Sequence, residues 1–311
     1  MTRHIELIDF HCHHVPGEIA LNPLPAGHGS VWQTIRDKLT SREALLESIE
    51  SGDVDARVVN VPPEQFTAPG AHPPQALIER INDRIAELVA AHPGRLLGLA
   101  TIDAFSGDAG AREVERAHRT LSLNGIYIES ASGDDLLDAP QARPTLEAAA
   151  CRGLPVFVHP INPQQLTARL ARYGRPGSQL ARGTVSSATL IALLESGTFD
   201  ALPDLRLVVT TLAIGGVLLS AALSSRRAIR DDADALLRRH VYIDTMGFDA
   251  SLIRVCAALL GADHVLLGSD WPIDHAPLRA RAETALRDSG LTDDQQRLIA
   301  SGNVRRLLRT G

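Results

Sequence analysis

A (β/α)₈ barrel is the fold this 311-residue sequence predicts, and three observations predict it. Eight short apolar runs recur along the chain, helical patterns separate them, and polar residues gather at the ends of several runs. The strand candidates are Ile5–Phe10, Ala56–Val61, Leu96–Ile102, Gly125–Glu129, Leu154–His159, Leu205–Thr210, His240–Asp244 and His264–Ser269. Each is short and largely apolar, as parallel strands covered on both faces should be. Between them, Pro73–His92 places Leu77, Ile81, Ile85, Leu88 and Val89 on one stripe before the stop signal Pro93-Gly94. Ala109–Leu121, Arg143–Arg152, Ser187–Glu195, Ala250–Leu260 and Asp293–Leu308 read as further helices. A doubly wound open sheet is the competing fold, and the absence of a glycine-rich dinucleotide fingerprint after the first strand counts against it.

No internal repeat, low-complexity tract or linker divides the chain, so a single domain over residues 1–311 is expected. The segment Val15–Thr40, with Pro16, Pro23, Pro25 and three glycines, is too long for a routine connection and is expected to be a lid or binding loop.

Composition narrows the function classes. Apolar residues make up 44% and charged residues 22%, as in an ordinary globular protein with a sizeable core. The formal charge is 31 − 37 = −6, and the basic residues are scattered, which argues against nucleic acid or an anionic membrane as partner. Cys12, Cys151 and Cys256 are too few and too far apart for a disulfide framework and suit a reducing compartment. The amino terminus lacks a signal-peptide core, and no apolar run approaches the roughly 18 residues of a membrane span. A cytoplasmic location is the expectation.

In a β/α barrel the site forms at the C-terminal ends of the strands. His11 and His13 close the first strand, His159 closes the fifth, and Asp270 follows the eighth in L-L-G-S-D-W-P. The i, i+2 spacing of His11 and His13 puts both imidazoles on one side of an extended strand, with Cys12 pointing into packing. Three imidazoles and one carboxylate make an N₃O shell for one divalent metal, Zn²⁺ first, with Mn²⁺, Fe²⁺ or Co²⁺ as alternatives. Asn60, Asp103 and Asp244 end the second, third and seventh strands, where they are placed to face substrate; for Asp244, bonding backbone or orienting a ligand histidine is the preferred role.

The phrases D-F-H-C-H, L-P-V-F-V-H-P and L-L-G-S-D-W-P, in that order, resemble the amidohydrolase superfamily. More narrowly, with I-N-D-R-I-A-E-L-V-A-A-H-P-G-R-L-L-G-L-A-T and F-D-A-L-P-D-L-R-L-V-V, the chain is similar to the branch of aminocarboxymuconate semialdehyde decarboxylase and related aromatic-acid decarboxylases and hydrolases. The resemblance implies a distorted barrel with one metal on His11, His13, His159 and Asp270, and it carries a homodimer as an inherited expectation. A carboxylated lysine bridging two metals at the end of strand four is not expected, because Lys38 is the only lysine and lies in the first loop.

The departure is at strand six. Family members usually end that strand in H-x-G-G, whereas this chain has V-V-T-T-L-A-I-G-G, with Thr210 or Thr211 at the histidine's place. A threonine hydroxyl is no base near neutral pH, though it can position water. Asp270 as proton acceptor, His14 or His275 as substitute, or loss of the chemistry are the three explanations. The expected function is hydrolysis of a small organic acid, lactone or amide by a metal-activated water, with Asp270 catalytic and Thr211, Asn60, Trp271 and His275 contacting substrate. Decarboxylation of an aromatic or muconate-type acid is the first alternative and a non-catalytic metabolite-binding barrel the second. Arg175 and Arg226 are noted as arginines able to hold a substrate carboxylate.

Overall fold

The computed structural model describes residues 5–23, 29–68, 70–224 and 232–309. Eight staves run in parallel: β1 (Ile8–His13), β2 (Ala56–Asn60), β3 (Leu96–Gly98, continued by Ala100–Thr101), β4 (Ile126–Glu129), β5 (Pro155–His159), β6 (Arg206–Val209), β7 (Val241–Asp244) and β8 (Val265–Leu266). Each pairs in parallel with the next. β3 changes partner at its break, since Leu99 N–H donates to Val59 of β2 and Ala100 N–H to Gly125 at the foot of β4. The seam between β8 and β1 is closed by Phe10 N–H to Leu267 O at 2.8 Å and His13 N–H to Trp271 O at 2.8 Å. This is the (β/α)₈ barrel the sequence predicts.

Two apolar layers follow from the alternation of side chains along each stave. Ile8, Phe10, Val58, Leu99, Tyr127, Phe157, Val208 and Leu266 fill the interior, and Val304, Leu307 and Leu308 of the helix Asn303–Leu308 pack against the same cluster. The second layer lies between staves and helices and includes Cys12, Val59, Ile81, Ile85, Val158, Leu190 and Leu193. Cys12 faces this outer layer, as its place between two inward histidines requires.

Two segments differ from the sequence reading. The first βα connection is not loop as far as Thr40, because Ser30–Thr40 is a helix that buries Ile35 and Leu39 while exposing Val31 and Trp32. Its end is tied down by Val15 N–H to Leu39 O at 2.9 Å; Pro25 lies outside the described residues. The helix ending at Glu195 is also far longer than predicted, running Gly174–Glu195. Among the described residues, no helix is long and apolar enough to cross a membrane.

Candidate active site

A bulge in β1 aims the histidines. Ile8 and Phe10 point into the barrel, so strict alternation would send His11 and His13 outward. The β1–β2 register slips between Asp9 and Cys12, and the slip turns both imidazoles inward above Phe10. The His11 ring then stands 4.9 Å from that of Phe157, edge to face. On β5, Phe157 and His159 share one face, and the His159 ring lies 4.9 Å from His13 and 5.5 Å from His11. Asp270 sits in the turn after β8 at φ 66°, a left-handed conformation that aspartate tolerates, and its N–H bonds His11 O at 2.9 Å. Gly268 is required just before it: a Cβ there would meet His11 Cβ at 2.9 Å and Asp244 Cβ at 3.0 Å.

These placements bring one donor atom each from His11, His13, His159 and Asp270 within 4.8 Å of one another. Asp270 Oδ1 is 3.4 Å from His11 Nε2 and 3.3 Å from His13 Nε2. Behind them, Asp244 Oδ2 accepts from His11 Nδ1 at 2.6 Å, and Asn60 Oδ1 accepts from His13 Nδ1 at 2.6 Å. Asp244 is itself fixed, its Oδ1 receiving Thr211 N–H at 2.8 Å and the Thr211 hydroxyl at 2.9 Å. Asp9 supports the seam: it accepts Ser269 N–H at 2.9 Å, the Ser269 hydroxyl at 2.6 Å, His11 N–H at 3.2 Å and the buried Arg57 guanidinium.

The donor set fits a divalent cation. Each Nδ1 faces an acceptor, which leaves Nε2 as the atom each ring can offer to a cation. Those two Nε2 atoms stand only 3.2 Å apart. Facing lone pairs repel, whereas two nitrogens each about 2.1 Å from a shared ion come roughly this close. Burial, with His13, Arg182 and His11 nearby, pushes His159 well below the usual histidine range, which keeps it neutral and ready to coordinate. For Asp270 burial works the other way, but the His11 and His13 imidazoles and Arg182 prevail and hold the carboxyl below its ordinary value.

Two groups at the mouth were missed or misjudged from sequence. Glu129 is half-buried at the end of β4. Burial, with Glu64 and Asp103 nearby, raises its pKa to about 8 against a smaller opposing effect of Arg182. Arg182 brings a partly buried guanidinium to the mouth, ion-paired with Glu64 at 3.3 Å. It was overlooked because R-P-G-S-Q-L-A-R-G reads as loop. The glycine that spoils the helical pattern, Gly183, is needed there, since a Cβ would come 2.7 Å from Leu212 O.

The predicted substrate contacts fare unevenly. Asn60 is buried with Nδ2 unpartnered, Thr211 spends its hydroxyl and N–H on Asp244, and Trp271 is 4% exposed, packed in the core under Arg57. His275 is exposed on the turn beyond β8. His14 is buried outside the barrel against Leu39, and burial lowers its pKa to about 4, so it is no stand-in for the strand-six histidine. Thr210 is buried with an unpartnered hydroxyl. Arg175 is exposed, and Arg226 lies outside the described residues.

Residues 8–310 match the amidohydrolase family model, and the chain belongs to that family. Gamma-resorcylate decarboxylase of Polaromonas sp. is 24% identical over 302 residues, covering 89% of this chain and 90% of the relative. The 2-amino-3-carboxymuconate-6-semialdehyde decarboxylase of Dictyostelium discoideum is 24% identical over 257 residues, 78% of this chain and 70% of the relative. Among solved structures, 5-carboxyvanillate decarboxylase from Sphingomonas paucimobilis superposes with a TM-score of 0.84 at 24% identity, covering 98% of this chain and 99% of that one. A dihydroxybenzoic acid decarboxylase from Polaromonas sp., with bound manganese and the inhibitor 2-nitroresorcinol, gives 0.82 at 21% identity over 98% and 97%. The expectation of hydrolysis does not stand against these relatives, which are decarboxylases. Hydrolysis also needs a base to deprotonate water, so the missing strand-six histidine counts against it as well.

Proposed function

We propose that this amidohydrolase-family chain is a metal-dependent decarboxylase of an aromatic or muconate-type acid. The observation that carries the reading is the convergence of four donor atoms within 4.8 Å over an aromatic floor. His11, His13, His159 and Asp270 would hold the ion. We name Mn²⁺ ahead of the Zn²⁺ expected from donor chemistry, because a relative of the same fold carries manganese. When bound, a divalent cation supplies electrophilic polarisation of the substrate's oxygens.

The chain's own residues account for the rest. Asp244 and Asn60 lock the two imidazoles of β1, and the unpartnered Asn60 Nδ2 is available to an acceptor on the substrate. Phe10, Tyr127 and Phe157, all fully buried, form the aromatic packing beneath the imidazoles and hold the donor rings in place. Loss of carbon dioxide breaks a carbon–carbon bond and leaves its electron pair on the ring or alkene carbon, where a proton must be added. Asp270, ionised by its imidazole neighbours, is the group we assign to relay that proton from solvent.

The test is carbon dioxide release from 2,6-dihydroxybenzoate, 5-carboxyvanillate and muconate-type acids by Mn²⁺-loaded protein, with Asp270→Asn as control. Release that depends on the metal and disappears in the variant supports the reading. A protein that holds the metal but frees no carbon dioxide from any of these acids overturns it.

A further inference from the structure

Arg182 has more donors than partners. On the helix Gly174–Glu195 it shares a face with Ser186, Thr189 and Leu193, which are buried. The Thr189 hydroxyl on that face donates to Ser130 O at 2.8 Å, one residue beyond Glu129, which fastens the helix over the end of β4. Seven residues earlier, about 10 Å back along the axis, Arg182 reaches Glu64 in the turn after β2. The guanidinium therefore spans the mouth between β2 and β4, above Tyr127, whose buried hydroxyl is also unpartnered.

Its pairing is incomplete. Only Nη1 meets Glu64, at 3.3 and 3.5 Å, which is long for a charge-assisted bond. Among the described residues, Nε and Nη2 meet no hydrogen-bond acceptor. A guanidinium 17% exposed at the barrel mouth, with one edge of its planar fork unspent, is built to receive a planar anion. Glu64 is partly exposed and can turn to solvent when a competing carboxylate arrives.

We propose that Arg182 anchors the anionic edge of a ring-bearing carboxylic acid through Nε and Nη2, and that Glu64 occupies the guanidinium between turnovers; this rests on the decarboxylase reading above. The two partners of one ion pair then have opposite effects. Removing Arg182 weakens the acid, whereas neutralising Glu64 frees the guanidinium and tightens it.

Calorimetric binding of 2-hydroxybenzoate and its uncharged counterpart 2-hydroxybenzamide, to metal-free and Mn²⁺-loaded protein, separates the outcomes. Arg182→Met is expected to weaken the acid by about 10- to 100-fold, the range of a charged hydrogen bond, and to leave the amide and the metal content unchanged. Glu64→Gln is expected to tighten the acid severalfold, and Arg182→Lys to recover part of the loss. If Arg182→Met and Glu64→Gln both lower the melting temperature yet leave the acid's affinity as in wild type, the pair is a structural clamp and the proposal is overturned. If wild-type, metal-loaded protein binds neither compound, the decarboxylase reading fails first and this inference falls with it.

Discussion

Asp244 Oδ2 stands 2.6 Å from His11 Nδ1, a contact that reaches from β7 to β1 and decides which nitrogen of His11 faces the other donors. Asp244→Asn keeps the size but removes the anion that fixes this tautomer. Metal affinity is expected to fall about 10- to 100-fold, read by competition with a chromogenic chelator, while circular dichroism stays that of the wild type. Unchanged affinity would mean that Asp244 serves only Thr211 and the backbone.

Chelation gives a second check. Dialysis against a strong chelator should abolish turnover and lower the melting temperature, and Mn²⁺ at 100 times its Kd should restore about 2.7 kcal/mol of stability. A melting temperature indifferent to the cation would show that the four donors do not bind it.

Glu129 predicts a pH dependence. Its folded pKa of about 8 lies above the ordinary 4.5, so the native state holds this proton more tightly than the unfolded chain. That preference is fully expressed below the unfolded pKa and is lost as pH rises from about 4.5 to about 8. In metal-free protein, Glu129→Gln removes the dependence. Its stability relative to wild type should grow with rising pH by on the order of 4–5 kcal/mol and level off above the folded pKa. Parallel urea melts at pH 5, 6.5 and 8 measure the gap; a constant gap refutes the burial effect.

Arg57 tests the support behind β1. It is fully buried, bonds Asp9 and Ser48 and lies over Trp271 at 5.2 Å. Arg57→Met leaves the Asp9 charge uncompensated and should cost about 3–5 kcal/mol. Adding Asp9→Asn should recover part of that, since the stranded charge is then gone. A double variant no more stable than the single one would place the cost in lost packing instead.

The eight staves, and the histidines at the ends of two of them, were legible because short apolar runs and the spacing of His11 and His13 are local signals. What sequence could not show was the bulge between Asp9 and Cys12, without which the histidines would have followed Phe10 in the wrong phase. Arg182 was hidden for a related reason. Gly177 and Gly183 depress helix propensity, yet close packing against Leu170 and Leu212 demands them, so tertiary contact overrode the local pattern. His275 stands exposed on its turn, because nearness to Asp270 in the chain says nothing about direction once the chain has turned.

The bond from Ser269 to Asp9 joins residues 260 positions apart, so the barrel seam has a consequence for biosynthesis. At 5–20 residues per second, roughly 13–50 s separate the emergence of the first stave from that of the last. Throughout that interval the nascent polypeptide carries His11 and His13 without Asp270, the neighbour of Ser269. The four donors therefore meet within 4.8 Å only as translation nears its end.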